Sequence, residues 1–173
     1  MTGKVVAAEA MPLDDWSLSD ARSWLRERLD DGASCPCCKQ FAKVYRRGVS
    51  SSHALALIAI WRHARQETIH FPTFRVEHSL RLNHLAILSE WGLIAEDLSR
   101  RPDGGNAGRW SITSKGAAWI NGRETIPKYA LIYDSRCLGF DGPEVRIGDV
   151  LGDRFDLRTL MGSAPETPMF VGF

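Results

Sequence analysis

Residues 85–122, LAILSEWGLIAEDLSRRPDGGNAGRWSITSKGAAWING, constrain this chain most, because their patterns predict helix, strand, glycine-rich turn, strand and helix in immediate succession. Leu85, Leu88 and Trp91 recur at three-residue spacing and put apolar surface on one side of a helix. Gly92 follows as the residue able to take the left-handed conformation that ends it. Leu93 and Ile94 start a strand. Residues 100–109 hold Pro102, three glycines, Asn106 and three arginines, a composition that suits an exposed hairpin tip and cannot build a core. Trp110, Ile112 and Thr113 bring the chain back. The hydroxyl of Thr113 or Ser114 is placed to cap the next helix, and Asn121-Gly122 to end it.

WGLI, a basic glycine-containing hairpin and then WSITSKG resemble the helix, wing and closing helix of bacterial winged-helix regulators of the MarR and PadR kinds. The resemblance spans a quarter to a third of the chain and implies a DNA-binding scaffold. The chain as a whole, with CPCC near its front and IPKYALIYDSRCLGFDG near its end, also resembles small proteins encoded by phages and prophages, a likeness that brings no activity with it. The expected class is α+β: a winged helix-turn-helix core over 49–125, preceded by an N-terminal tail, helix and cysteine-containing segment over 1–48. A C-terminal hairpin with short helices over 126–173 is expected to pack on that core.

A chain of 173 residues with 44% hydrophobic content is long enough for one well-buried core. No apolar run approaches the roughly 18 residues that a membrane span needs, and MTGKVVAAEAMPLDD lacks the apolar stretch of a secretory signal. The expectation is a cytoplasmic protein without a membrane partner, in a bacterial host if phage-encoded. The net charge is only +1, but its distribution is uneven: residues 1–34 carry −3, residues 35–125 carry +6 and residues 126–173 carry −2. Positive charge therefore gathers on the segment that resembles a DNA-binding fold, as a polyanionic partner requires; solvated surfaces reach the same asymmetry by chance.

Before that segment, Ser17 with Asp20 three residues on predicts a helix start, and Leu18, Ala21, Leu25 and Leu29 follow helical spacing up to Asp30-Asp31-Gly32. Phe41 to Arg47 alternates as a short strand with a basic side. The strongest helix runs from His53 to about Arg65, with Ala54, Leu57, Ile58, Trp61 and Ala64 as its buried stripe and Ser51 or Ser52 as its cap. Residues 66–74 predict extended chain at Thr68 to Phe71, and Pro72 bars a helix interior. The second helix of a helix-turn-helix is thus either short, beginning at or after Pro72, or replaced by a loop. Val76, Leu80, Ile87 and Trp91 align on one continuous helix from Arg75, with Arg75, Ser79 and Asn83 opposite; alternatively a turn near Glu77 to Ser79 divides it. After Gly122, Tyr129 to Tyr133 and Cys137 to Phe140 predict a hairpin about Asp134-Ser135-Arg136, then short helices near 147–151 and 156–161.

Three constellations bear on chemistry. Arg100, Arg101 and Arg109 in the wing are expected at phosphates, where guanidinium groups displace condensed counterions; the bland alternative is a loop that needs charge to stay soluble. Arg75, Ser79 and Asn83 are placed to read base edges, Asn pairing with adenine and Arg with guanine. Cys35 and Cys38 stand at the C-x-x-C spacing of half a tetrahedral zinc site, with the remaining ligands open among Cys37, Cys137 and five histidines; the alternative is reduced thiols packed at a turn. There is no HExxH, P-loop, GxSxG or strand-to-helix GxGxxG, so no enzyme is expected. The leading expectation is a double-stranded-DNA-binding protein acting in regulation or genome handling. The rivals are a protein-binding module, for a host factor or a homodimer, and a zinc-stabilised binder of RNA or single strands.

Overall fold

The computed structural model describes residues 16–82, 84–97, 108–153 and 155–162. Among them the chain is a mixed α+β structure with six α-helices and three small antiparallel sheets. Helix α1 (Leu18–Arg26) is opened by Ser17, whose hydroxyl accepts from the Asp20 amide at 3.2 Å while the Asp20 carboxylate accepts from the Ser17 amide at 3.2 Å. This is the reciprocal cap that the Ser17–Asp20 spacing predicts. The helix stops at Arg26, a turn short of Leu29, and buries only Ala21. Trp16 and Trp24 meet edge-on, their ring centroids 6.0 Å apart.

Strands β1 (Ala33–Ser34) and β2 (Phe41–Ala42) form a ribbon of their own, and β3 (Tyr45–Gly48) belongs to a different sheet. The single alternating strand expected over 41–47 is therefore split, with the break at Lys43-Val44, where the Val44 amide turns back to the Leu29 carbonyl at 2.8 Å.

Helix α2 (Ser51–Ala64) is the centre of the core. Its Ala54, Ala56, Leu57, Ile58 and Ile60 are all buried. The cap is Ser50 rather than Ser51 or Ser52. His53 supplies the other half: its Nδ1 accepts the Ser50 amide at 3.1 Å and lies 2.8 Å from the Ser50 hydroxyl. Strand β4 (Ile69–His70) leads straight into α3 (Phe71–Glu77), with Pro72 in the first turn, where its missing N–H costs nothing. A short helix is thus present here rather than a loop, and it begins at Phe71, one residue before the earliest start the sequence suggested.

The continuous helix from Arg75 to Trp91 does not form. After α3 the Leu80 amide bonds the Arg75 carbonyl at 2.9 Å and the Ser79 amide bonds Val76 at 3.2 Å, the pair of bonds that closes a helix when the next residue turns left-handed. Ser79 takes that conformation, with φ 52°. The described residues between Ser79 and Ala86 lie in no helix or strand, and a 3₁₀ turn at Ala86–Ser89 buries Leu88. Helical spacing of Leu80, Ile87 and Trp91 thus reflects burial by an irregular segment, which apolar periodicity cannot separate from a helix.

Strands β5 (Ile94–Glu96) and β6 (Arg109–Ile112) pair antiparallel, and β6 also pairs with β4, giving the order β4-β6-β5. Thr113 caps α4 (Ser114–Ile120): its hydroxyl accepts the Gly116 amide at 2.9 Å and donates to the Gly92 carbonyl at 2.6 Å. Gly92 and Gly122, both with positive φ, end their segments as expected.

The C-terminal hairpin is β7 (Ile126–Tyr133) with β8 (Arg136–Val145), turning through Asp134 and Ser135, both left-handed as a two-residue loop requires. Strand β3 adds to its free edge, giving β3-β7-β8. Helices α5 (Ile147–Leu151) and α6 (Leu157–Met161) follow, the latter capped by Asp156. One hydrophobic cluster joins Val49 to Leu151 and so includes residues of both the central and the C-terminal stretches. No helix among the described residues is long and apolar enough to cross a membrane.

Two measurements test this packing. A Cβ added at Gly116 would run into the Leu93 carbonyl oxygen, whereas Gly148 faces open space without a left-handed backbone. Gly116→Ala is expected to lower unfolding free energy by about 2–4 kcal/mol, and Gly148→Ala to leave it unchanged within about 1 kcal/mol, by urea denaturation. Second, burial lowers the pKa of His53, and its neutral Nδ1 is the acceptor in the α2 cap. The unfolded chain binds the proton more readily, so stability is complete above the ordinary histidine pKa of about 6.5 and falls as the pH drops below it. His53→Gln should flatten that part of the stability-versus-pH curve.

Candidate functional site

The proposed wing is anchored at its base by four contacts. The Asp97 amide donates to the Arg109 carbonyl at 3.0 Å, and the Phe71 amide donates to the Gly108 carbonyl at 2.8 Å. Pro72 closes over Gly108, where an added Cβ would lie 2.9 Å from its Cδ. Arg109 Nε reaches Asp97 Oδ2 at 3.1 Å across the ribbon. The ends of β5 and β6 are thus tied to each other and to the first turn of α3 by backbone bonds as well as by packing.

Of the residues expected at phosphates, Arg109 sits in this base. Its side chain is 32% exposed and its carboxylate partner 21% exposed, so the pair is half-buried. One face of the guanidinium is therefore held, and a phosphate would have to compete with Asp97 for it. Arg100 and Arg101 lie outside the described residues, as does Asn83. Arg75 is in the last turn of α3, half-buried and engaged with a partner, and Ser79 is exposed at the left-handed turn that closes the helix. Arg75 and Ser79 are close in sequence but do not share a helical face, because the helix ends between them.

Two other basic residues of the 35–125 stretch, Arg46 and Arg47, lie in β3 and so belong to the C-terminal sheet. Arg46 stacks on Tyr129 at 3.8 Å and bonds Asp141 at 2.8 Å. Arg47 lies 5.1 Å from the Tyr45 ring. Sequence reasoning missed this cluster, since the pairing of residues 45–48 with 129–132 is a long-range contact that no local pattern encodes. It also missed the stack of His63 on His78, with ring centroids 4.1 Å apart, which joins α2 to the end of α3.

The cysteine segment forms the tip of the β1–β2 ribbon. The Cys35 amide donates to the Gln40 carbonyl at 2.7 Å, and the Lys39 amide returns to the Cys35 carbonyl at 2.9 Å. Lys39 takes φ 62° to close the loop, and its Nζ ties to the Pro36 carbonyl at 3.0 Å. The backbone amides of Cys38 and Cys37, followed by their thiols, face the Cys35 sulfur and lower its pKa against a smaller opposing effect of burial. All four cysteines are free thiols. Among the described residues no three His, Cys, Asp or Glu side chains converge to hold an ion.

Comparison with protein-family models, with curated proteins and with solved structures finds no match to this chain.

The loop amides predict selective reactivity. In the presence of a chelator, alkylation followed by mass mapping should show Cys35 titrating below the ordinary thiol pKa of about 8.5. A Cys35 midpoint at or above that value would contradict the geometry.

Proposed function

We propose that the chain binds double-stranded DNA through a winged-helix core formed by α2, β4, α3, the 3₁₀ turn, β5, β6 and α4. The observation that carries this reading is the sheet order β4-β6-β5, in which the short strand between the first two helices pairs with the returning strand of the hairpin. Three further features support it. A proline-started short helix follows that strand at once, the hairpin base is bonded to it, and the sequence between the two hairpin strands carries Arg100 and Arg101. The +6 charge of residues 35–125 fits a polyanion, and the −3 and −2 of the flanking stretches do not.

In this mechanism the phosphate backbone supplies the affinity. Arg100 and Arg101, which the sequence places between the two hairpin strands, would displace counterions, and Arg109 holds the base of the hairpin through Asp97. Base reading falls to the segment after α3, with Ser79 at its start and Asn83 beyond. A left-handed turn followed by irregular chain offers fewer parallel side chains to a groove than a long recognition helix does. The reading therefore favours backbone-dominated binding with modest sequence preference.

A salt titration of random-sequence duplex, followed by fluorescence anisotropy, tests the proposal. Affinity should fall steeply with rising salt, and Arg100→Ala with Arg101→Ala should reduce the slope of log K against log salt by about 0.9 per lost phosphate contact. No binding at low salt, or binding indifferent to salt, overturns it and favours a protein partner.

A further inference from the structure

The N-terminal segment has too little core to hold itself in shape. From residues 16–44 only Ala21 joins the buried set. Strands β1 and β2 have two residues each and pair only with one another. Isolated ribbons of this kind are marginal in water, and modules below about 40 residues usually depend on a metal, a disulfide or a partner chain. Yet the tip of this ribbon is a closed loop, held by the Cys35–Gln40 and Lys39–Cys35 backbone bonds, which bring both ends of the C-x-x-C turn together.

We propose that Cys35 and Cys38 form half of a tetrahedral thiolate site for a divalent ion of the zinc class, completed by the same two cysteines of a second copy of this chain. The ligands that one chain can offer call for a second copy. Every cysteine and histidine of the sequence lies among the described residues, and none joins Cys35 and Cys38 in a group able to hold an ion. A structural zinc site takes four ligands, and thiolate and imidazole are its usual ones. Two identical hairpins related by a two-fold axis supply four thiolates around one ion, the simplest closed arrangement. As the ion binds, the thiols release their protons to solvent, and the lone pairs of four sulfurs become its bonds.

The surroundings suit such a meeting of copies. Phe41, two residues beyond the loop, is 61% exposed and offers apolar surface beside the ion. Lys39 and Lys43 place positive charge near a centre that would carry a net negative charge from four thiolates and one divalent ion. This inference does not depend on DNA binding, since it uses only the N-terminal segment.

The test is metal stoichiometry together with molecular mass. The full chain, purified in reductant and stripped with chelator, is titrated with Zn(II) and, separately, with Co(II). Sedimentation is followed at each step. The expected result is one ion per two chains, conversion of monomer to dimer by the metal, and Co(II) absorption characteristic of tetrahedral thiolate ligation. Cys35→Ser and Cys38→Ser should each abolish both metal uptake and dimer, and Cys37→Ser and Cys137→Ser neither. Cys38→His, which keeps a ligand in place, should retain the dimer with a shifted Co(II) spectrum, a result that misfolding would not produce. One ion per monomer, no uptake, or a dimer indifferent to chelator each overturns the proposal.

Discussion

Burial of α2 on nearly every side is the constraint on which the rest of this structure depends. Five of its fourteen residues are fully enclosed, and β6, α4, α5 and α6 all pack against it. A helix so surrounded cannot be amphipathic in the ordinary way, and its alanines are as important as its larger residues because they let neighbours approach closely. The same close approach recurs at Gly116, which lets α4 lie against the Leu93 backbone. Small residues at these places set how near the layers come, and Leu57, Ile60, Leu88, Leu93 and Trp119 fill what remains.

Two tryptophans of the central stretch then fasten the C-terminal hairpin. Trp91 Nε1 donates to the Pro127 carbonyl at 2.7 Å, and Trp119 Nε1 donates to the Val145 carbonyl at 3.1 Å. Pro127 lies near the start of β7 and Val145 ends β8, so both bonds hold the end of the hairpin remote from its turn. Each indole buries a large apolar surface and satisfies a backbone acceptor at once, a use to which tryptophan is well suited. The hairpin tip is left to β3, whose Tyr45 and Arg46 pair with Ile132 and Leu131.

Features encoded within a few residues were legible in the sequence. The Ser17–Asp20 cap, the Thr113 cap, the Gly92 and Gly122 stops, the Asp134-Ser135 turn and the two short C-terminal helices all follow from local side-chain chemistry. What failed was inference from apolar spacing over a longer span. Of the two readings of residues 75–91, the turn near Glu77 to Ser79 is the one present; Leu82, Leu85 and Leu88 are buried although Leu82 and Leu85 lie in no helix, so the spacing there recorded burial and not helix. The candidate site was legible to the same degree. The C-x-x-C loop is visible in the sequence, whereas the engagement of Arg109 by Asp97 and of Arg46 by Tyr129 and Asp141 needs strand register, which pattern does not supply.

The pairing of β3 with β7 joins residues more than eighty positions apart, Tyr45 with Ile132 and Gly48 with Tyr129, across the whole central core. Closing so large a loop is slow unless something first brings its ends together. During synthesis β3 emerges long before β7 and cannot pair with it until β7 has left the ribosome, so everything from α2 to α4 is made before this sheet can close. The sheet is in that sense a clasp across the intervening core.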